Sequence, residues 1–187
     1  MNVKEEIEEY IPCNEQEEKD KQAMLAWMEQ GGDLYTRKNR TAHFTASAWV
    51  TDPAHEHVLM AYHNIYQSWS WLGGHADGDH NLLAVAEREI KEESGLQEVH
   101  AVSPHLLSLE ILTVDGHIKH GEYVSSHLHM NVTYLFEADA SQPIHCKPDE
   151  NASVAWFTLE EAVEKSSEPW FREHIYKKLN EKLRNMK

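Results

Sequence analysis

Three carboxylates, Glu89, Glu92 and Glu93, fall at spacings of three and four within Gly74 to Leu96, which reads GHADGDHNLLAVAEREIKEESGL. At about 3.6 residues per turn they lie within roughly 100° of arc on a helix, so they share a face. Like charges this close repel, and a helix whose only task is to fold more often interleaves lysine at such spacings. The pattern predicts a cation against that face. Hard oxygen ligands suit Mg²⁺ or Mn²⁺ rather than zinc, which prefers His and Cys. Both helix ends are marked. Asp79 or Asn81 can accept the orphan N–H groups at the start, and Gly95 can adopt the left-handed conformation that closes the end. Leu83, Ala86 and Ile90 make an apolar stripe beside the carboxylates. Ahead of them, Gly73, Gly74 and Gly78 form a loop whose backbone can approach a ligand closely.

The chain's 187 residues suit one domain with a real core plus an extension. A formal charge of −15, from 32 acidic against 17 basic residues, argues against a nucleic-acid binder that relies on neutralising phosphates with Lys and Arg. An anionic substrate must then be drawn in by metal ions and a few local cations. Cys13 and Cys146 are far apart and have no CxxC spacing, which argues against a disulfide framework or structural zinc and suits a reducing compartment. The acidic start MNVKEEIEEY lacks the basic opening and apolar run of a signal peptide. No segment approaches the ~20 apolar residues needed to cross a bilayer. A soluble, cytoplasmic protein with no membrane partner is expected.

Residues 4 to 30 predict one or two helices broken near Pro12 and Cys13, with Met24, Leu25, Trp27 and Met28 on a polar background and Gly31 and Gly32 at the end. This helical N-terminal extension, residues 1–35, would cover one side of the main domain, residues 36–187, or meet a second copy in a homodimer. Arg37, Lys38 and Arg40 form a basic cluster that reads as a substrate-phosphate contact or as a solvated turn. Strands are expected over Ala42 to Thr51 and His57 to His63, joined by the turn DPAHE. Residues 64 to 72 read as a polar loop. Its Trp69 and Trp71 either stack on a base or pack as core, and the core reading suits Trp71 better.

Strands follow over Pro104 to Val114 and Ser126 to Glu137, separated by a loop at 115 to 125 holding Asp115, His117 and His120. Alternation along the second strand puts His127, His129, Asn131 and Thr133 on one face, expected to line the site beside the carboxylate helix. His127 and His129 could form a second metal centre. Hydrogen bonding to substrate or to the carboxylates is the simpler reading, because the carboxylates already account for a metal. Ser153 to Thr158 predicts a strand, and Thr158 with Glu161 a capping box that opens a helix to Lys165. Pro169 to Met186 predicts an amphipathic helix with Trp170, Phe171, Ile175, Tyr176, Leu179 and Leu183 facing the body.

Gly74, Arg88, Glu89, Ile90, Glu92, Glu93, Gly95 and Leu96 together resemble the box of the Nudix hydrolase family at its own spacing, over roughly residues 42 to 165. One slot departs, because His80 stands where the box has its first Glu. In the family that Glu pairs with the box Arg, so Asp77 or Asp79 stands in or the site is weaker. The run GGHADGD looks like a subgroup that begins its box this way. The resemblance implies an α/β (α+β) fold, a mixed β-sheet sandwiched between helices. It also implies hydrolysis of a small-molecule nucleoside diphosphate linked to another moiety. It makes Glu92 and Glu93 ligands of Mg²⁺ or Mn²⁺, Glu89 a ligand or general base, and Arg88 the group that orients the carboxylates. The Gly73 or Gly74 carbonyl would add a backbone ligand, and Glu150 or its neighbour Asp149 a further carboxylate. Arg37, Arg40, His75, His127 and His129 are candidate substrate contacts. A second reading, favoured by His80, is a catalytically weak nucleotide sensor on the same scaffold. A third, an isomerase of isoprenoid diphosphates, would want a cysteine near the site and ranks last.

Overall fold

A computed structural model describes residues 2–119 and 121–186, so His120 lies outside the described residues. Helices α1 (Val3–Glu9) and α2 (Glu15–Gln30) precede strands β1 (Ala42–Thr51), β2 (His57–His63), β3 (Ser68–Ser70) and β4 (Leu72–His75). Helix α3 (Leu82–Ser94) follows, then β5 (His100–Ala101), β6 (Ser108–Val114), β7 (His117–Lys119), β8 (Glu122–Val124), β9 (His127–Glu137) and β10 (Asn151–Thr158). The chain ends with α4 (Leu159–Lys165), a π-helical turn (Phe171–Tyr176) and α5 (Lys177–Asn185).

All ten residues of β1 are buried, so both of its edges and both of its faces must be covered. It runs parallel to β9 along one edge, from Ala42↔Leu128 to Thr51↔Glu137, and antiparallel to β4 along the other. The mixed sheet continues outward through β2 and β10 on one side and through β5 and β6 on the other. Alternation then divides β1 between two cores. Phe44, Ala46, Ala48 and Val50 pack with Leu82, Val85, Ala86 and Ile90 of α3. Trp49 joins Leu159 and Ala162 of α4 and Leu179 and Leu183 of α5. This is the expected sheet between helices.

Local signals placed most boundaries. Asn14 caps α2 by accepting from the Glu17 N–H at 2.9 Å, and Thr158 and Glu161 form the capping box of α4. Three expectations are corrected. The loop expected at 64 to 72 is interrupted by β3 and runs into β4, because β2 splays from β1 after Thr51↔Val58 and leaves both strands an edge to pair. The loop expected at 115 to 125 contains the hairpin β7–β8. Trp170 is 54% exposed and tilts over His174 instead of facing the body. Trp71 is buried between Phe171 and Tyr176, as core.

The extension is fastened by one buried acid. Glu17 of α2 takes Lys182 at 2.6 Å and Lys178 at 3.1 Å from α5, and the Ser108 hydroxyl of β6 at 2.9 Å. Lys178 also pairs with Glu110 of β6 at 2.9 Å. Burial works to raise the Glu17 carboxyl, but Lys178, Lys182 and the Cys13 N–H outweigh it and hold it at about 2, below its usual 4.5. Stability from this group is therefore full above pH 4.5 and is lost as pH falls toward 2. Glu17→Gln should destabilise the fold by about 3 kcal/mol at pH 7 by leaving buried ammonium groups underpaired. In chemical denaturation at a series of pH values, the deficit should shrink as pH falls through that window.

Candidate metal and substrate site

Helix α3 is built to hold its carboxylates still. Asn81 caps it by accepting from the Ala84 N–H at 3.2 Å, and Gly95 closes it at φ 73° with its N–H on the Lys91 carbonyl. Leu82, Val85, Ala86 and Ile90 are buried on the sheet side, with Leu83 packed more shallowly against them. That orientation turns Glu89 and Glu93 toward β4.

Glu93 is only 5% exposed, and its carboxylate accepts the Gly73 N–H at 2.9 Å. Glu89 lies directly over Gly74, where a Cβ would come within 2.5 to 2.8 Å of the carboxylate atoms. The absence of a side chain at Gly74 is what lets helix and strand close to this distance. Glu92 is more exposed and pairs with Lys147 at 3.2 Å, and the same ammonium reaches Glu150 at 3.2 Å. The turn before β10 thus brings Glu150 to the helix carboxylates. It is anchored by Asn151, which donates to the Glu93 backbone carbonyl at 3.2 Å.

The electrostatics are lopsided. Burial pushes Glu93 up to about 8, the Gly73 N–H opposes it, and the charges of Glu89 and Glu150 push it further. Burial also raises Glu89, with Glu92 adding to the effect and Arg88 opposing it. Desolvation pulls Lys147 down, but its contacts with Glu150 and Glu92 prevail and raise it. A half-buried group of carboxylates, one of them raised chiefly by burial and further by its acidic neighbours, suits a hard divalent cation. The all-oxygen donor set fits Mg²⁺ or Mn²⁺.

Arg88 finds Asp79 at 3.4 Å and Glu89 at 4.0 Å. Of the two candidate acids, Asp79 is the one that meets Arg88, and the His80 ring stacks on Tyr35 with centroids 3.8 Å apart. Asp77 instead pairs with Arg37, 2.8 Å from its Nε, while Arg40 is exposed on the same connection.

The polar face of β9 does not line the carboxylate side. Its apolar residues Met130, Val132 and Tyr134 pack in the α3 core, because α3 needs an apolar floor. Asn131 accordingly faces the opposite core, accepting from Thr45 at 2.9 Å and Ser47 at 2.8 Å and donating to Glu110 at 3.2 Å. His127 and His129 lie on that face too, grouped with His75 and with His43 of β1. Sequence reading missed His43 and Lys147. Alternation along β1, which puts His43 in phase with Thr45 and Ser47, was the signal for the first, and the spacing of Lys147 three residues before Glu150 for the second.

The sequence pattern of the NUDIX domain matches residues 41–179. None of the curated proteins matches the chain. Among solved structures, the dihydroneopterin triphosphate pyrophosphohydrolase of E. coli superposes with a TM-score of 0.54 at 14% identity, covering 72% of this chain and 92% of that one. A NUDIX-family hydrolase from Clostridium perfringens gives 0.51 at 21% identity, over 78% and 98%. The MutT protein of Methanosarcina mazei Go1 gives 0.54 at 15%, over 77% and 95%. At these identities the likeness concerns the fold. With the matched domain spanning most of the sequence and the box residues gathered on one loop, helix and turn, the chain belongs to the Nudix family.

Proposed function

We propose that the chain hydrolyses the phosphoric anhydride of a nucleoside diphosphate linked to another moiety, with Mg²⁺ or Mn²⁺ held by Glu89, Glu92, Glu93 and Glu150 and by a carbonyl of Gly73 or Gly74. The observation that carries this is the convergence of Glu89 and Glu93 on the glycine pair, with Glu93 buried against the Gly73 N–H and with Glu92 and Glu150 drawn together on Lys147. When bound, divalent ions supply neutralisation of the diphosphate oxygens and a more acidic water. Glu89, made more basic by burial and by the charge of Glu92, is suited to accept the proton of the attacking water. Arg88, shared between Asp79 and Glu89, orients that carboxylate rather than touching substrate. Arg37 and Arg40 are the exposed cations proposed to meet substrate phosphates. The pyrophosphohydrolase named for the E. coli structure performs the same class of reaction.

His80 favours the sensor reading, and the contact of Asp79 with Arg88 supports hydrolysis over it. A panel of nucleoside diphosphate derivatives with Mg²⁺ or Mn²⁺ should reveal turnover by the wild type. Glu92→Gln and Glu93→Gln should each lose about 100-fold or more in kcat. Nucleotide binding with no turnover of any panel member would restore the sensor. His80→Glu should leave kcat unchanged.

Gly74→Ala offers a second check. Its methyl group must displace the Glu89 carboxylate, so the metal concentration for half-maximal activity should rise about tenfold. Thermal unfolding should register a loss of roughly 1 to 3 kcal/mol from the overpacked contact.

A further inference from the structure

We propose that His43, His75, His127 and His129 form a second metal site, separate from the carboxylates, which takes a first-row transition ion, zinc foremost, through four imidazole nitrogens. One ring nitrogen from each residue lies within 4.8 Å of all the others. Tetrahedral zinc at about 2.0–2.1 Å from nitrogen requires ligand atoms roughly 3.4 Å apart. His127 Nε2 and His129 Nε2 are already 3.2 Å apart, and the remaining approach is within the reach of side-chain rotation.

Two of the rings are oriented for ligation by groups that can only accept. His43 Nδ1 lies 3.0 Å from the Asn39 carbonyl, and His127 Nδ1 lies 2.8 Å from the Ser125 carbonyl. Each Nδ1 must therefore carry the proton, which leaves the Nε2 lone pair to bind. His43 is almost wholly buried, and its Nε2 has no hydrogen-bond partner among the described residues. Burying an acceptor in that state is costly, and a cation in the cluster satisfies it. Desolvation, helped by the neighbouring imidazoles, holds His129 down at about 2, and desolvation lowers His43 as well. His75, His127 and His129 are partly exposed, so an ion can enter from solvent.

The cluster follows from strand register. His43 lies opposite His129 across the β1–β9 pair, His127 is two residues earlier on the same face, and His75 lies opposite Thr45 across the β1–β4 pair. Gly74, the neighbour of His75, faces Glu89 on the other side of the sheet. An ion held by the imidazoles would therefore brace β1, β4 and β9 at the strand that carries the glycine pair, without sharing a ligand side chain with the carboxylates. Nitrogen donors also select against Mg²⁺, so the two sites would take different metals.

The test uses the full chain without a polyhistidine tag, stripped by chelator and titrated with Zn²⁺ by calorimetry, with elemental analysis and thermal unfolding on the same samples. One zinc per chain is expected, with a rise in Tm beyond that given by saturating Mg²⁺, and zinc affinity should be unchanged in Glu93→Gln. His129→Ala should weaken zinc binding about 100-fold and abolish the rise in Tm. If that variant fails to fold by circular dichroism, the partly exposed His127→Asn decides: a loss of at least about tenfold supports the site, and unchanged affinity overturns it. Zinc affinity that is unchanged in His129→Ala, or that is lost in Glu93→Gln, would overturn it equally.

Discussion

Full burial of β1 is the constraint from which the rest follows. A strand covered on both faces and paired on both edges cannot shift register by one residue without exchanging its two sets of side chains. Phe44, Ala46 and Ala48 are therefore committed to the α3 core, and His43, Thr45 and Ser47 to the opposite side. β4 inherits this alternation through its pairing with β1. Gly74 then lies under Glu89, while His75 points to the imidazole group.

Two buried glutamates show how one residue type serves two ends. Glu17 is met by Lys178, Lys182 and Ser108, and these contacts hold it ionised despite burial. It ties α2 to β6 and α5. Glu93 is met by a backbone N–H and feels the charges of Glu89 and Glu150, and burial keeps its proton on. The first acid has its counter-charge built into the fold. The second lacks enough of it, which is the electrostatic condition for recruiting a cation from solution.

Asp79 shows how a departure from the family pattern is absorbed. With His80 in the usual slot, the acid one residue earlier reaches Arg88, and the imidazole stacks on Tyr35. The tight turn at Gly78, with φ 93°, directs Asp77 and Asp79 to different arginines. Arg88 keeps a carboxylate partner although the residue supplying it has changed.

The sequence by itself determined what lies within a single element: the α3 carboxylate face, its closure at Gly95, the capping box of α4, and the alternation of β9. Each is fixed by backbone geometry over a few consecutive residues, so spacing alone reveals it. Only the tertiary structure decided which face of β9 meets α3, that 68–70 and 72–75 pair as strands, that Lys147 bridges Glu92 and Glu150, and that His43 completes the imidazole cluster. These depend on register between strands and on competition for buried apolar area, so local spacing can name a candidate such as Lys147 or His43 but not its partner from a distant part of the chain.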